Sequence, residues 1–249
     1  VDTSIAYRIP LESGRSIDAF FYDGTTSQGV AFGGWLNNGE AMAGKLMERP
    51  GPMVSLATDG ESYGHHHIKG DMALAYCVRT LRERGDAEIT NFEAYLAQNP
   101  PQVEAKLVAP SAWSCSHGVG RWSENCGCVI DPKMRGLQQW RRPLRDSLNA
   151  LRDGLAEFYE REVRQLGESP WELRDRYVWH RLARESAHTP LDQDPFPDPE
   201  ASSGVQRLVG LLEMQRFALQ MFTSCGWFFD APTGLETTQI IRYARRAIE

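Results

Sequence analysis

The sequence predicts an α/β segment followed by a mainly helical one, and three observations support this division. Up to about Val108, short apolar runs alternate with helical patterns, which is typical of α/β folds. Residues 111–128 then form an irregular stretch rich in glycine and cysteine. Beyond it, apolar residues recur every three or four positions, the spacing of amphipathic helices. We therefore predict two domains, residues 1–110 and residues 111–249.

Within the first domain, one run differs from its neighbours. Residues 53–58 are almost continuously apolar, as expected of a strand that is buried on both faces of a parallel sheet. The alternation around this run is consistent with the last part of a barrel or with an open parallel sheet. Further short apolar runs are residues 18–22 and 29–32, and residues 103–108 predict another strand. The predicted helices are residues 39–47, residues 71–84 and a helix that Thr90 or Asn91 caps and that ends before Asn99.

The second domain is predicted to consist of amphipathic helices. An apolar stripe over residues 140–166 indicates a helix of about seven turns. Residues 211–221 repeat this pattern, and residues 237–248 predict a terminal helix. Between the helices, residues 187–204 combine prolines with acidic side chains, and they predict an exposed loop without regular structure.

Composition argues against two classes of partner. The net charge of −6 and the pI near 5.6 argue against a nucleic-acid partner, which would require clustered Lys and Arg for phosphate contacts. No apolar run approaches the roughly 20 residues that a membrane span needs. The start of the chain lacks the charged and apolar regions of a signal peptide, so we expect a cytoplasmic location.

Both ends of the chain suggest a segment of a longer protein. The sequence begins without a methionine and stops inside a predicted helix. We therefore expect the remainder of the parent chain to contribute residues to the same site.

Polar residues follow residues 53–58 at the point where the predicted strand ends. Asp59 and Glu61 are the first candidates for acid–base catalysis, since barrel enzymes keep their chemistry at the carboxyl ends of strands. An aspartate at this position can equally cap the following turn. Three consecutive histidines, residues 65–67, come next. They cannot all point the same way on a regular backbone, so at most two line a pocket, and any of them can instead be a packed histidine bonded to a backbone carbonyl.

Cysteines form a second candidate site. Cys115, Cys126 and Cys128 lie within fourteen residues, and either His117 or Cys225 would complete a four-coordinate site for zinc or an iron–sulfur cluster. A disulfide or free buried thiols are the alternatives, although a disulfide is disfavoured in the cytoplasm. Cys77, inside a predicted helix, is expected to be a small core residue.

Tryptophan is abundant near these cysteines. The chain contains seven tryptophans, and Trp113, Trp122 and Trp227 fall beside the cysteine positions. Indole faces of this kind can stack on sugar rings, or they can pack a core between the two domains.

Three runs carry a resemblance to a known family. They are residues 57–67 (ATDGESYGHHH), residues 111–122 (SAWSCSHGVGRW) and residues 223–228 (TSCGWF). On these runs the chain resembles the retaining glycoside hydrolases of family 57, and more closely the bacterial family-57-like proteins that carry domain of unknown function 3536. The resemblance implies the last strands of an incomplete (β/α)7 barrel followed by a helical bundle. It also implies an α-glucan or oligosaccharide as substrate.

The resemblance assigns roles to individual residues. Asp59 matches the general acid/base, whereas the glutamate nucleophile belongs to an earlier strand outside this chain. Catalysis of this kind requires no cofactor, and Asp59 would need a pKa raised by burial or by the neighbouring nucleophile. The expected substrate-binding residues are Glu61, Tyr63, His65, His66, Trp113, His117, Trp122 and Trp227.

Two departures from the family pattern involve cysteine. Cys115 replaces the glutamate that follows Ser-Trp-Gly in the hydrolases, and Cys225 replaces the second serine of Ser-Ser-Asp-Trp. If the two runs approach each other as they do in the family, these two cysteines are neighbours.

Three functions therefore compete. The first is a segment of a retaining glycosidase or glucanotransferase acting on α-glucans, inactive by itself. The second is a non-catalytic glucan-binding or regulatory protein with a structural metal site. The third is a redox or metal-sensing domain built on the cysteines.

Overall fold

A computed structural model describes residues 1–185 and 203–249, and the chain divides into two units, Val1–Val108 and Ala109–Glu249. The boundary lies at 108/109, and the sequence pattern placed it at 110/111. The described part of the chain is mainly helical and contains one small sheet.

The sheet of the first unit has three strands, β1 (Ala6–Pro10), β2 (Ser16–Phe20) and β3 (Val103–Glu104). Their order in the sheet is β2-β1-β3. The central strand β1 pairs antiparallel with β2, where Ala6 lies opposite Phe20, and parallel with β3, where Tyr7 lies opposite Val103. Ala6, Tyr7 and Ile9 of β1 are buried.

Four helices complete the first unit, and the predicted ones are confirmed. The side chains of Asp23, Asn38 and Asn91 cap three of them by accepting backbone N–H groups, as short polar residues do at helix starts. The core joins α1, α2 and α3 through Val30, Leu36, Met42, Ala43, Cys77 and Leu81. The helices are α1 (Gly24–Ala31), α2 (Gly39–Met47), α3 (Gly70–Arg84) and α4 (Phe92–Gln98).

Residues 53–58 do not form the predicted strand. The backbone N–H of Ala57 donates to Ser27 Oγ at 3.2 Å instead of to a neighbouring strand, while Leu56 packs against the helical core. Val54 is exposed, so the run is not buried on both faces. The apolar run at residues 29–32 belongs to the end of α1 and the turn after it. A barrel is therefore not confirmed by the described residues.

The cap of α1 allows a prediction for the first unit. Asp23 accepts hydrogen bonds from Thr26 N at 3.1 Å and Thr26 Oγ1 at 2.9 Å, and it pairs with Arg49 at 3.0 Å. Burial alone would raise the pKa of Asp23, but these hydrogen bonds and the Arg49 charge outweigh it and hold the pKa below its usual value. We expect Asp23→Ala to lower the free energy of unfolding by about 2 kcal/mol at pH 7.

This stabilisation belongs to the ionised carboxylate, so it has a defined pH dependence. It is fully present above the pKa of an unfolded aspartate, about 3.9, and it is lost as the pH falls through the lower folded-state pKa. Urea unfolding at pH 7 and pH 3 measures the free energy of unfolding of Asp23→Ala and of the unmutated chain. The difference between the two free energies should be smaller at pH 3. Asp18→Ala removes only the exposed pair with Arg8 and serves as the control.

The second unit is helical, as predicted. The 25-residue helix α5 confirms the long apolar stripe, and it packs against α6, α7 and α9. Tyr159, Leu173 and Leu212 form one buried cluster, and Leu148 and Trp227 belong to a second. The helices are α5 (Arg141–Gln165), α6 (Pro170–Glu185), α7 (Ser203–Gln220), α8 (Cys225–Phe228) and α9 (Leu235–Ile248).

The predicted Pro- and Asp-rich loop at residues 187–204 lies almost wholly outside the described residues; its last two residues begin α7. Among the described helices, none has the length and apolar character needed to cross a membrane.

Candidate metal centre

Four side chains of the second unit converge in the loop before α5. The ligand atoms of Cys115, His117, Cys126 and Cys128 all lie within 4.8 Å of one another. The Cys115 Sγ atom is 3.9 Å from that of Cys126 and 3.8 Å from that of Cys128. The Cys128 Sγ atom is 3.5 Å from His117 Nδ1. This cluster, which we call the Cys3His cluster, can hold a metal ion.

Glycines shape the backbone around the Cys3His cluster. Gly127, between two of the cysteines, has a φ of +86°, a left-handed conformation that L side chains rarely adopt. It turns the chain so that Cys126 and Cys128 both face the other ligands. A Cβ at Gly120 would lie only 3.1 Å from the Cβ of Cys126, so a larger residue at this position would make a tight contact with that ligand.

Hydrogen bonds prepare Cys115 to act as a ligand. Burial alone would raise the pKa of its thiol, but the backbone N–H groups of Arg121 and His117 and the thiols of Cys128 and Cys126 outweigh burial and lower the pKa to about 7. Burial and the neighbouring Cys115 raise the pKa of Cys126. Since the thiolate is the form that binds metals, Cys115 is the most readily prepared of these thiols.

Two buried arginines hold the loop against the helices. Arg141, the first residue of α5, donates from Nη1 to the Cys128 carbonyl at 3.0 Å and from Nη2 to the Phe229 carbonyl at 3.4 Å. Arg121 donates to the Ser114 carbonyl at 3.1 Å, and its guanidinium lies 4.2 Å from the centre of the Phe228 ring. These contacts connect both ends of the Cys3His cluster to the helical core.

The structure favours His117 over Cys225 as the fourth ligand. Cys225 is exposed at the start of α8 and does not belong to the Cys3His cluster. Cys225, the alternative fourth ligand in the sequence, thus lies outside the group of four that the structure brings together. All five cysteines are free, so the disulfide alternative finds no support.

Residues 111–122 and 223–228 approach each other, as the resemblance implies. Trp122 Nε1 donates to the Ser224 carbonyl at 3.0 Å. The Trp113 ring stacks on Phe228 with centroids 6.0 Å apart, and it is 89% exposed. Trp113 therefore offers an open face to a ligand, whereas Trp122 is half-buried against the helical core.

Trp227 belongs to the core. Its side chain is 0% exposed, its Nε1 donates to the Arg141 carbonyl at 3.4 Å, and its ring lies parallel to Phe222. The structure therefore places Trp227 in the core, and no face of its indole is open in the described residues.

The candidate acid–base residues lie in the first unit. Asp59 and Glu61 are exposed around a short 3₁₀ turn, and Asp59 makes no side-chain capping hydrogen bond. The Tyr63 hydroxyl lies 2.8 Å from Thr58 Oγ1. The expected burial of Asp59 is not found in this chain.

The three histidines do not share one role. His65 and His66 are exposed, with ring centroids 4.9 Å apart, and His66 Nε2 lies 3.7 Å from Glu61 Oε2. His67 turns away and its Nε2 lies 2.7 Å from the Ala31 carbonyl. His67 is thus the packed histidine bonded to a backbone carbonyl, and the other two remain available to a ligand.

Two features of the structure are not identified by the sequence patterns. One is the buried pair Arg121 and Arg141. The sequence signal that could have indicated Arg141 is its helical spacing, which places it with Arg145 and Leu148 on the buried side of α5. The other is a cavity of about 580 Å³ in the first unit, which Arg49 and Tyr95 help to line and to which Asp59 does not contribute.

Comparison with known protein families gives a match to the helical part of the chain. Residues 137–249 match the family described as Domain of unknown function (DUF3536), and no match to the glycoside hydrolases of family 57 accompanies it. No protein with a curated description and no solved structure gives a significant match to the chain. The match covers α5 to α9 and begins after the Cys3His cluster. The helical part of the second unit is therefore similar to that uncharacterised domain.

Proposed function

We propose that this chain is part of a family-57-like carbohydrate-active protein, a retaining glycosidase or glucanotransferase acting on α-glucans, whose second unit is organised by a structural zinc ion. The contact between residues 111–122 and residues 223–228 carries the proposal. These are two of the three runs on which the resemblance rests, and they are about 100 residues apart in sequence yet joined through Trp122 and Ser224.

Exposed groups near this contact have the chemistry that a sugar ligand requires. Trp113 presents an open indole face on which a sugar ring can stack. We assign His117 to the metal ion and not to the sugar. In the first unit, Glu61, Tyr63, His65 and His66 supply polar groups for sugar hydroxyls. These features support a carbohydrate ligand.

Asp59 is the proposed general acid/base. A retaining mechanism requires two carboxyl groups about 5 Å apart, one as nucleophile and one to protonate the leaving oxygen and then activate water. The partner carboxylate is proposed to come from the remainder of the parent protein, as part of an incomplete barrel. Asp59 is exposed in this chain, and burial by that partner would favour its protonated form. The chain by itself is expected to be inactive.

The distances in the Cys3His cluster support zinc. At the corners of a tetrahedron around zinc, two sulfurs lie about 3.8 Å apart and a sulfur and a nitrogen about 3.6 Å apart. The observed separations of 3.8 and 3.9 Å between sulfurs and 3.5 Å between Cys128 Sγ and His117 Nδ1 agree with this geometry. An iron–sulfur cluster contains several iron atoms and would require a wider spacing of the sulfurs.

The decisive experiment is reducing-sugar release from soluble starch and maltooligosaccharides by the full-length parent. We expect activity in the parent, its loss in Asp59→Asn, and its retention in Asp71→Asn, which changes an exposed aspartate in the first turn of α3. Full activity in Asp59→Asn would refute the assignment of the acid/base.

A non-catalytic glucan-binding protein is the second candidate. The observation that favours it is Cys115, which takes the place of a glutamate in the family pattern and belongs to the Cys3His cluster. No sugar release by the parent, together with glucan binding that Trp113→Ala weakens, would establish this alternative.

A further inference from the structure

Two buried cations adjoin the Cys3His cluster without a carboxylate partner. The side chain of Arg141 is 0% exposed and that of Arg121 is 4% exposed, and neither forms an ion pair with a carboxylate among residues 1–185 and 203–249. Their hydrogen-bond acceptors are backbone carbonyls, and the Nε atom of each is buried without a partner. The two guanidinium groups thus satisfy part of their hydrogen bonding but form no direct ion pair with a carboxylate.

A buried charge without compensation is costly, because the low-dielectric interior does not replace the solvation that water provides. Cys126, Cys128 and Asp230 are the groups close to Arg141 that can carry negative charge. Asp230 keeps its negative charge while it accepts the backbone N–H groups of Ile130 and Asp131, so it supplies part of the counter-charge. The thiols of the Cys3His cluster are the second source of negative charge.

We propose that Arg121 and Arg141 are positioning residues that supply counter-charge to a metal centre in which three thiolates bind a divalent cation. This inference rests on the metal site of the proposed function. A divalent cation, three thiolates and a neutral imidazole carry one net negative charge, and the Asp230 carboxylate adds a second, so the two guanidinium groups balance them. Arg141 also holds the Cys128 carbonyl, so the same side chain orients a ligand and balances its charge.

The test measures zinc affinity by competition with a chromophoric chelator, together with the thiolate-to-metal absorption of the Co²⁺-substituted protein. Arg141→Met and Arg121→Met should each weaken zinc binding by about 10- to 100-fold, as removal of outer-shell partners does in other metal sites. Arg141→Lys keeps the charge and should restore most of the affinity.

Arg142→Met is the matched control. Arg142 is the next residue of α5 and also reaches the loop, through an exposed ion pair with Glu124. This variant should bind zinc as tightly as the parent, because an exposed pair is screened by water. Circular dichroism of each variant tests whether the helices remain folded.

The outcomes separate the two proposals. If the unmutated protein binds no zinc, the metal site itself is refuted. A parent that binds zinc, with folded Arg141→Met and Arg121→Met variants of unchanged affinity, would overturn the role of the arginines. Equal loss in Arg142→Met would also overturn it, because any link between α5 and the loop would then suffice.

Discussion

Cys115→Ser is expected to remove stoichiometric metal from the protein and to lower its melting temperature. The thiol is a central ligand, since its sulfur lies 3.9 Å from that of Cys126 and 3.8 Å from that of Cys128. Structural zinc contributes about 10–16 kcal/mol of binding free energy in small zinc domains. A loss of only about 3 kcal/mol would lower the melting temperature by about 6–12 °C in a chain of this size. Elemental analysis and thermal unfolding on the same samples measure both effects.

Cys225→Ser is the matched control for this prediction. Cys225 is exposed and lies outside the Cys3His cluster, so its serine variant should retain the metal and the melting temperature of the unmutated protein. Metal loss in Cys225→Ser, with metal retained in His117→Ala, would reverse our choice of the fourth ligand.

Trp227→Ala should destabilise the second unit by about 3–5 kcal/mol, the usual cost of deleting a large buried aromatic side chain. Trp227 packs against Phe222 and Ile240 in the buried cluster, and the Arg145 guanidinium lies 4.2 Å from the centre of its ring. Truncation would leave a cavity among these groups. Urea unfolding followed by circular dichroism measures the loss.

Trp113→Ala tests whether Trp113 is a surface residue, in contrast to the buried Trp227. The Trp113 ring is almost fully exposed, so the free energy of unfolding should change by less than about 0.5 kcal/mol. The same variant should weaken glucan binding if Trp113 stacks on a sugar. A large loss of stability in Trp113→Ala and a small one in Trp227→Ala would contradict our assignment of surface and core.

The helices were predictable from the sequence because their signals are local. The stripe over residues 140–166 and the cap at Asn91 depend on neighbours within one or two turns, and both match the structure. The conformation of residues 53–58, which were wrongly predicted to form a strand, was not predictable in this way. An apolar run identifies burial but not the partner of its backbone, and here Ser27 Oγ accepts the Ala57 N–H.

The candidate metal site was predictable in part for the same reason. Three cysteines and a histidine within fourteen residues indicate ligands, and their spacing left His117 and Cys225 as alternatives. Only the folded chain shows that Cys225 lies elsewhere and that Arg141 is buried beside the cluster. Trp227 shows the same limit, since a tryptophan beside a cysteine in sequence can be a surface platform or a core residue.

The carboxylate of Asp230 has a consequence for the order in which the second unit folds. It accepts the N–H groups of Ile130 and Asp131 at 3.0 and 2.8 Å, across 100 and 99 residues of chain. The four metal ligands, by contrast, lie within fourteen residues, and closing so short a loop costs little entropy. During synthesis the loop can therefore close around a metal ion long before Asp230 has been made. We expect the metal site to form on the nascent chain before the last helices have been synthesised. Asp230 would then connect the metal-binding loop to those helices.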